Sequence, residues 1–244
     1  MKAIAFKFIQ QFLSQFSTIL LLLGFSFTHA LILFVLPNDF NILEGTFADL
    51  ELYFASIPYI LMVLVPAIGM GSFAQEVQSG TLEILLTKPL DRSHLIWGKF
   101  FGVFGVTVLW LLPLGVYAIS IAKLSNQQFG FDWGIIFSAS LGLILLSSFF
   151  AALSVWASLK SNRQVLALLL SWGINGVFWW GWEYFSRLIT HNSWSDWMLR
   201  LSVQEQFKVL SKGLINPSAV LYLVLLSLLF LFFTRRELEQ NKRI

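Results

Sequence analysis

Six stretches without a single Asp, Glu, Lys or Arg, each 19 to 31 residues long, constrain this 244-residue chain more than any other feature: 8–38, 52–75, 100–122, 133–159, 164–182 and 213–234. About 20 predominantly apolar residues suffice for one helical crossing of a bilayer. Hydrocarbon offers no partner to backbone N–H and C=O groups, so such runs must be helical. Strands of a membrane barrel would alternate polar and apolar side chains over about 10 residues, and these stretches do not. Composition agrees, with 57% hydrophobic and 12% charged residues against the ~25% charge of a soluble domain. The pattern predicts an all-α polytopic membrane protein. Six transmembrane helices at about 16–36, 54–73, 98–122, 133–159, 164–184 and 217–235 would form a single transmembrane domain over 1–244.

Basic residues set the expected orientation. With six spans both termini share a side, and that side carries Lys2, Lys7, Lys88, Arg92, Lys99, Lys160, Arg163, Arg235, Arg236, Lys242 and Arg243. The other side has Lys123, Arg187, Arg200, Lys208 and Lys212, and its first loop holds Asp39, Glu44, Asp49 and Glu51 without a base. Eleven against five of the 16 Lys and Arg residues puts both termini in the cytoplasm. The net charge of +3 is thereby a matter of topology, and no basic run of the kind that binds nucleic acid occurs. The first apolar run is too long for the ~7–15-residue core of a signal peptide and reads as an uncleaved anchor.

Three segments are more than spans. In 1–16, Ile4, Phe8, Phe12 and Phe16 recur every four residues, with Lys2, Lys7, Gln10, Gln11, Ser14 and Gln15 between them. That is an amphipathic helix expected to lie in the cytoplasmic interface, against membrane lipid. In 73–99, Gly80 can close one short helix in a left-handed conformation and Thr81 can cap the next. Leu82, Leu85 and Leu86 then line one face, Glu83 favours the positive end of the helix dipole, and Pro89 stops the turn. The product is a short amphipathic knob suited to a groove of a partner protein. Between the last two spans, Ser193 and Asp196 form a capping box, followed by Trp194, Trp197, Met198 and Leu201 at helical spacing and then by Phe207, Leu210 and Leu214. One or two helices on or dipping into the outer leaflet are expected there, as a gate or a lid. Gly213 offers a stop, and Asn216 with Pro217 opens the last span.

Chemistry of the chain's own is absent from the pattern. There is no Cys, and His29, His94 and His191 lie far apart, so neither catalytic residues nor metal ligands are expected. The uncharged stretches hold no Asp, Glu, Lys or Arg, leaving His29 as the candidate titratable group at membrane depth. No phosphate-binding G-x-x-x-x-G-K-[ST] loop occurs; Gly98 and Lys99 are followed by Phe100. Polar residues at depth such as Ser147, Ser148, Ser154, Ser171 and Asn175 are weak signals, and Gly102, Gly105, Gly142, Ala151 and Ala152 permit close helix packing. A membrane scaffold with a docking knob and no energy source fits a subunit driven by a separate motor.

Glu76, Gly80, Thr81, Glu83, Leu85, Leu86, Pro89, Gly98 and Lys99 resemble the E-x-x-x-G-T-x-E-x-L-L-x-x-P-(x)8-G-K signature of type-2 ABC-transporter permeases. The opening MKAIAFK and the stretch 207–223 resemble the gliding-motility-associated subgroup, although Asn216 and Ser218 stand where that pattern has an acid. The resemblance implies a permease subunit that couples ATP hydrolysis in partner ABC-type ATPase subunits to export or mechanical work across the bacterial inner membrane. A second permease, the same chain or a larger one with an extracytoplasmic domain, would complete the complex. The 76–89 segment would be the coupling helix, and Glu76 would pair with a base of the ATPase. No cofactor is expected in this chain, ATP and Mg being held by the ATPase. A complex that relays motion while nothing crosses is kept beside this reading, given 16% Phe, Trp and Tyr, as is a six-helix scaffold without an ATPase.

Overall fold

The computed structural model describes residues 1–36, 50–87, 91–124, 133–188 and 193–240. All regular structure among them is helical. The chain starts with α1 (Lys2–Leu13) and α2 (Phe16–Phe34). Then come α3 (Leu50–Gly69), α4 (Gly71–Gln78), the short α5 (Thr81–Thr87) and the 33-residue α6 (Arg92–Leu124). Next is α7 (Trp133–Lys160), followed by α8 (Gln164–Gly176), which runs through a π-helical turn at Val177–Gly181 into α9 (Trp182–Leu188). Two short helices, α10 (Ser193–Arg200) and α11 (Val203–Ser211), lead to α12 (Pro217–Gln240).

Five stretches among the described residues are long and apolar enough to cross a membrane: Tyr53–Gln78, Arg92–Pro113, Trp133–Lys160, Gln164–Arg187 and Pro217–Gln240. They coincide with five of the six expected spans, and their ends differ for local reasons. The expected 98–122 span begins at Arg92, because the Asp91 carboxylate accepts the Ser93 N–H at 3.1 Å and starts the helix earlier. The expected 54–73 span breaks at Met70, between α3 and α4. As expected, Asn216 caps α12, its side-chain oxygen accepting the Ser218 N–H at 3.0 Å, with Pro217 in the first turn.

The centre of the bundle is α7, against which α3, α4, α6, α8, α11 and α12 all pack. With neighbours on several sides, α7 has no polar face and meets them with small residues. Gly142, Ala151, Ala152, Ala157 and Ser158 are buried, which lets backbones come close where lipid supplies no hydrophobic drive. The serines at depth act as cross-links: Ser154 meets Ser171 of α8 at 3.0 Å, and Ser148 meets Ser227 of α12 at 2.9 Å. Trp179 is fully buried and stands edge-on to Tyr59 of α3.

Candidate functional site

The 73–99 link is built around the break at Met70. Once the helix is interrupted there, the backbone groups on either side need partners, and Ser158 of α7 supplies them. Its hydroxyl accepts the N–H groups of Phe73 at 2.9 Å and Ala74 at 2.8 Å, and donates to the Met70 carbonyl at 2.8 Å. On another side of α4, Lys99 of α6 reaches in. Its ammonium pairs with the Glu76 carboxylate at 2.5 Å, donates to the Ser72 carbonyl, and lies 4.2 Å from the centre of the Phe73 ring. Lys99 is 5% exposed and is the one charged residue buried among the described residues.

The turn into α5 follows the expected design in part. Gly80 has φ +69, the left-handed conformation that a side chain disfavours. Thr81 opens α5, but its hydroxyl points backward rather than capping, to the Ser79 hydroxyl at 2.8 Å and the Glu76 carbonyl at 3.4 Å. Leu82, expected on the docking face, is buried in the core, and Leu85 packs partly against it. A seven-residue helix hung on α4 has to turn one apolar side inward, and these two leucines take it. What remains outside is Thr81, Glu83, Ile84 and Thr87, with Ile84 62% exposed. Ile84 was invisible to a pattern of leucines; its signal was its position on the face opposite Leu82 and Leu85. Pro89 and the side chain of Leu86 lie outside what the structure describes.

The N-terminal helix is also corrected. α1 forms, but its apolar stripe ends at Phe12, since Phe16 opens α2 and is 78% exposed. Ile4 and Phe8 face α6, where glycines make room. A Cβ on Gly98 would stand 2.8 Å from Ile4, one on Gly102 2.9 Å from Phe8, and one on Gly105 3.0 Å from Ile9. The face expected to rest on lipid is therefore a helix–helix contact, while Phe6, at 68%, is exposed. Between α1, α4, α5 and α6 lies an open cavity of about 540 Å³ bordered by Phe8, Gln11, Ser72, Gln75, Leu85 and Lys99.

At the far end of α7, α11 is pressed into the bundle. Phe207 is buried against Trp179, with ring centres 6.2 Å apart, and Leu210 and Phe207 both close on Gly142. Trp197 of α10 is 66% exposed. The side chains of Trp194, Ser193 and Asp196 lie outside what the structure describes, as does that of His29.

A family model described as ABC-2 family transporter protein matches residues 2–238. The chain belongs to the ABC-2 transporter family. The match covers α1 through nearly all of α12, so every helix described above falls within it. No curated protein matches the chain significantly. An ABC-2 family membrane component is the permease subunit of an ABC transporter, and membership implies an ABC-type ATPase as partner. ATPase activity in this family lies in those partner subunits.

Within this ABC-2 permease, the arrangement around α4 can bear load rather than do covalent chemistry. The expected roles of Glu76 and Lys99 change accordingly. Glu76, which was to reach for a base on the ATPase, is occupied by Lys99 of its own chain. Lys99 itself, taken from the sequence as an ordinary loop cation, is part of the core.

Proposed function

We propose that this chain takes up ATP-driven motion from its ATPase through α5 and passes it to the spans, for export of a substrate or mechanical work at the bacterial inner membrane. The observation that carries this reading is Ile84, a large apolar residue left exposed midway along a short helix whose Leu82 and Leu85 are turned inward. An exposed apolar residue rimmed by Glu83, Thr81 and Thr87 has the make-up of a small docking surface. The ATPase holds the ATP and Mg, and this subunit catalyses nothing itself. α2, with 19 residues or about 28 Å of helix, is the sixth crossing, giving six spans with both termini cytoplasmic by the basic-residue bias. A second permease, the same chain or a larger one, completes the complex.

The test is a tagged purification in mild detergent with mass spectrometry of the companions. Wild type is expected to bring an ABC-type ATPase, and Ile84→Asp to lose it while inserting normally. A wild-type chain that purifies without any nucleotide-binding partner would sink the reading and favour a six-helix scaffold. The second permease appears in the same spectrum, as a larger chain or as further copies of this one.

A second reading is mechanical relay with nothing crossing, as the likeness of 1–7 and 207–223 to the gliding-motility-associated subgroup suggests. It is supported by the closed aromatic packing of Phe149, Phe178, Phe230 and Trp156 between α7, α12 and the π-helical turn. Expected on that reading is an interior between the permeases that stays impermeable to small cysteine reagents in every nucleotide state.

A further inference from the structure

Lys99 is an expensive residue to bury for stability alone. Desolvating an ammonium costs so much that well-packed apolar residues usually serve as well as a buried ion pair. What the pair does supply is a fixed register, and the groups it joins lie on three different elements. From α6, Lys99 holds the Glu76 carboxylate and the Ser72 carbonyl of α4. Glu76 in turn accepts the Thr81 hydroxyl on its carbonyl, so one residue ties α5 and α6 together. Next to Lys99, Gly98 receives Ile4 of α1. On the opposite flank of α4, Ser158 fixes the backbone at Met70, Phe73 and Ala74. A push on α5 thus has a route of directional bonds through α4 to the head of α6.

We propose that Lys99 is a positioning residue that locks the α4–α5 hairpin to α6, and through Gly98 to α1, so that the three move as one body when α5 is pushed. The lock is a claim about this chain alone. Its use in transmitting motion rests on the coupling function proposed above.

This chain has no cysteine of its own, so single cysteines for spin labels can be introduced into it, in a complex whose partner subunits are made cysteine-free. Labels at Phe6 on α1 and Gln78 on α4, both exposed, report the lock. Labels at Phe6 and Trp197 report movement of α1 relative to α10 on trapping with MgATP and vanadate. Wild type is expected to give a narrow Phe6–Gln78 distance distribution that trapping does not change, and a Phe6–Trp197 distance that trapping shifts. In Lys99→Met the first distribution should broaden, and the trapped population in the second should fall about tenfold, a typical coupling effect, while the ATPase still co-purifies. Lys99→Arg, which keeps the cation, should restore both.

If Lys99→Met fails to insert, Glu76→Gln/Lys99→Met, which leaves neither charge unpaired, should insert and show the same broadening. An unchanged Phe6–Gln78 distribution in the variant that inserts overturns the lock. A broadened one with an undiminished vanadate shift overturns the transmission. Should no ATPase accompany the wild type, the coupling function fails, and the Phe6–Gln78 distances still decide the lock.

Discussion

Where α4 meets α6 and α7, the helices are joined by a buried cation and by a serine hydroxyl that serves three backbone groups; about 24 Å away along α7, α11 is held mainly by shape, with Leu210 and Phe207 closing on Gly142. Polar bonds also occur at that second end. Ser138 donates to the Leu210 carbonyl at 2.7 Å and Tyr222 donates to the Leu201 carbonyl, but among the described residues no charge is buried there. The contrast has a physical meaning. Shape contacts in a lipid-embedded bundle can slide at modest cost, because each is non-directional. A cation held by a carboxylate and a carbonyl cannot slide without losing directional bonds. The α5 end is built to keep its register and the α11 end to be closed or repacked.

Glu76→Gln tests that contrast hardest. It leaves the Lys99 ammonium buried beside a neutral amide, and breaking a buried pair from one side costs about 3 kcal/mol. A large drop in the apparent melting temperature of the purified protein is expected; a wild-type melting curve would mean that no charge is locked in at this end. Gly142→Leu attacks the other end. A side chain placed 3.0 Å from Leu210 overpacks the contact at about 2 kcal/mol, and limited proteolysis should then cut around α10 and α11 before anywhere near α5. First cleavage elsewhere would show that α11 is not held by this contact.

Ser158→Ala is a milder probe of the α5 end. It strips partners from the N–H groups of Phe73 and Ala74, and membrane-buried hydrogen bonds of this kind are worth about 1 kcal/mol. Hydrogen exchange at those two amides should rise selectively; unchanged protection there would remove Ser158 from the joint. The smallest effect belongs to Ile84→Ser. A 62% exposed side chain contributes within about 0.5 kcal/mol to stability, so melting should not move while recovery of the ATPase in a pull-down falls. A destabilised Ile84→Ser protein would place the residue inside the fold rather than on a docking face.

Much of the architecture was legible from residue order because it follows from local rules. Long charge-free runs cannot be anything but membrane helices, Gly80 takes the left-handed turn its place in the link demands, and Asn216 with Pro217 starts a helix in any context. The glycines were read as packing sites, and Gly102 and Gly142 are such sites. The candidate site was less legible. The segment from Glu76 to Pro89 was read as a surface for a partner, and its Glu76 proves to pair with Lys99 of α6. Leu82 and Leu85 of α5 were taken as part of its outward face, although a single-sided short helix has to give them to its own core.

Sequence by itself determined the helical class, the place of five of the expected spans and the existence of a separate short helix between Tyr53–Gln78 and Arg92–Pro113, since backbone solvation and turn chemistry act over a few residues. Only the tertiary structure decided that Ile4 and Phe8 rest on glycines of α6 rather than on lipid, that Ile84 is what α5 offers outside, and that Lys99 is buried. Each of those depends on which helices become neighbours, and an amphipathic face or a lone lysine carries no record of the surface it will meet.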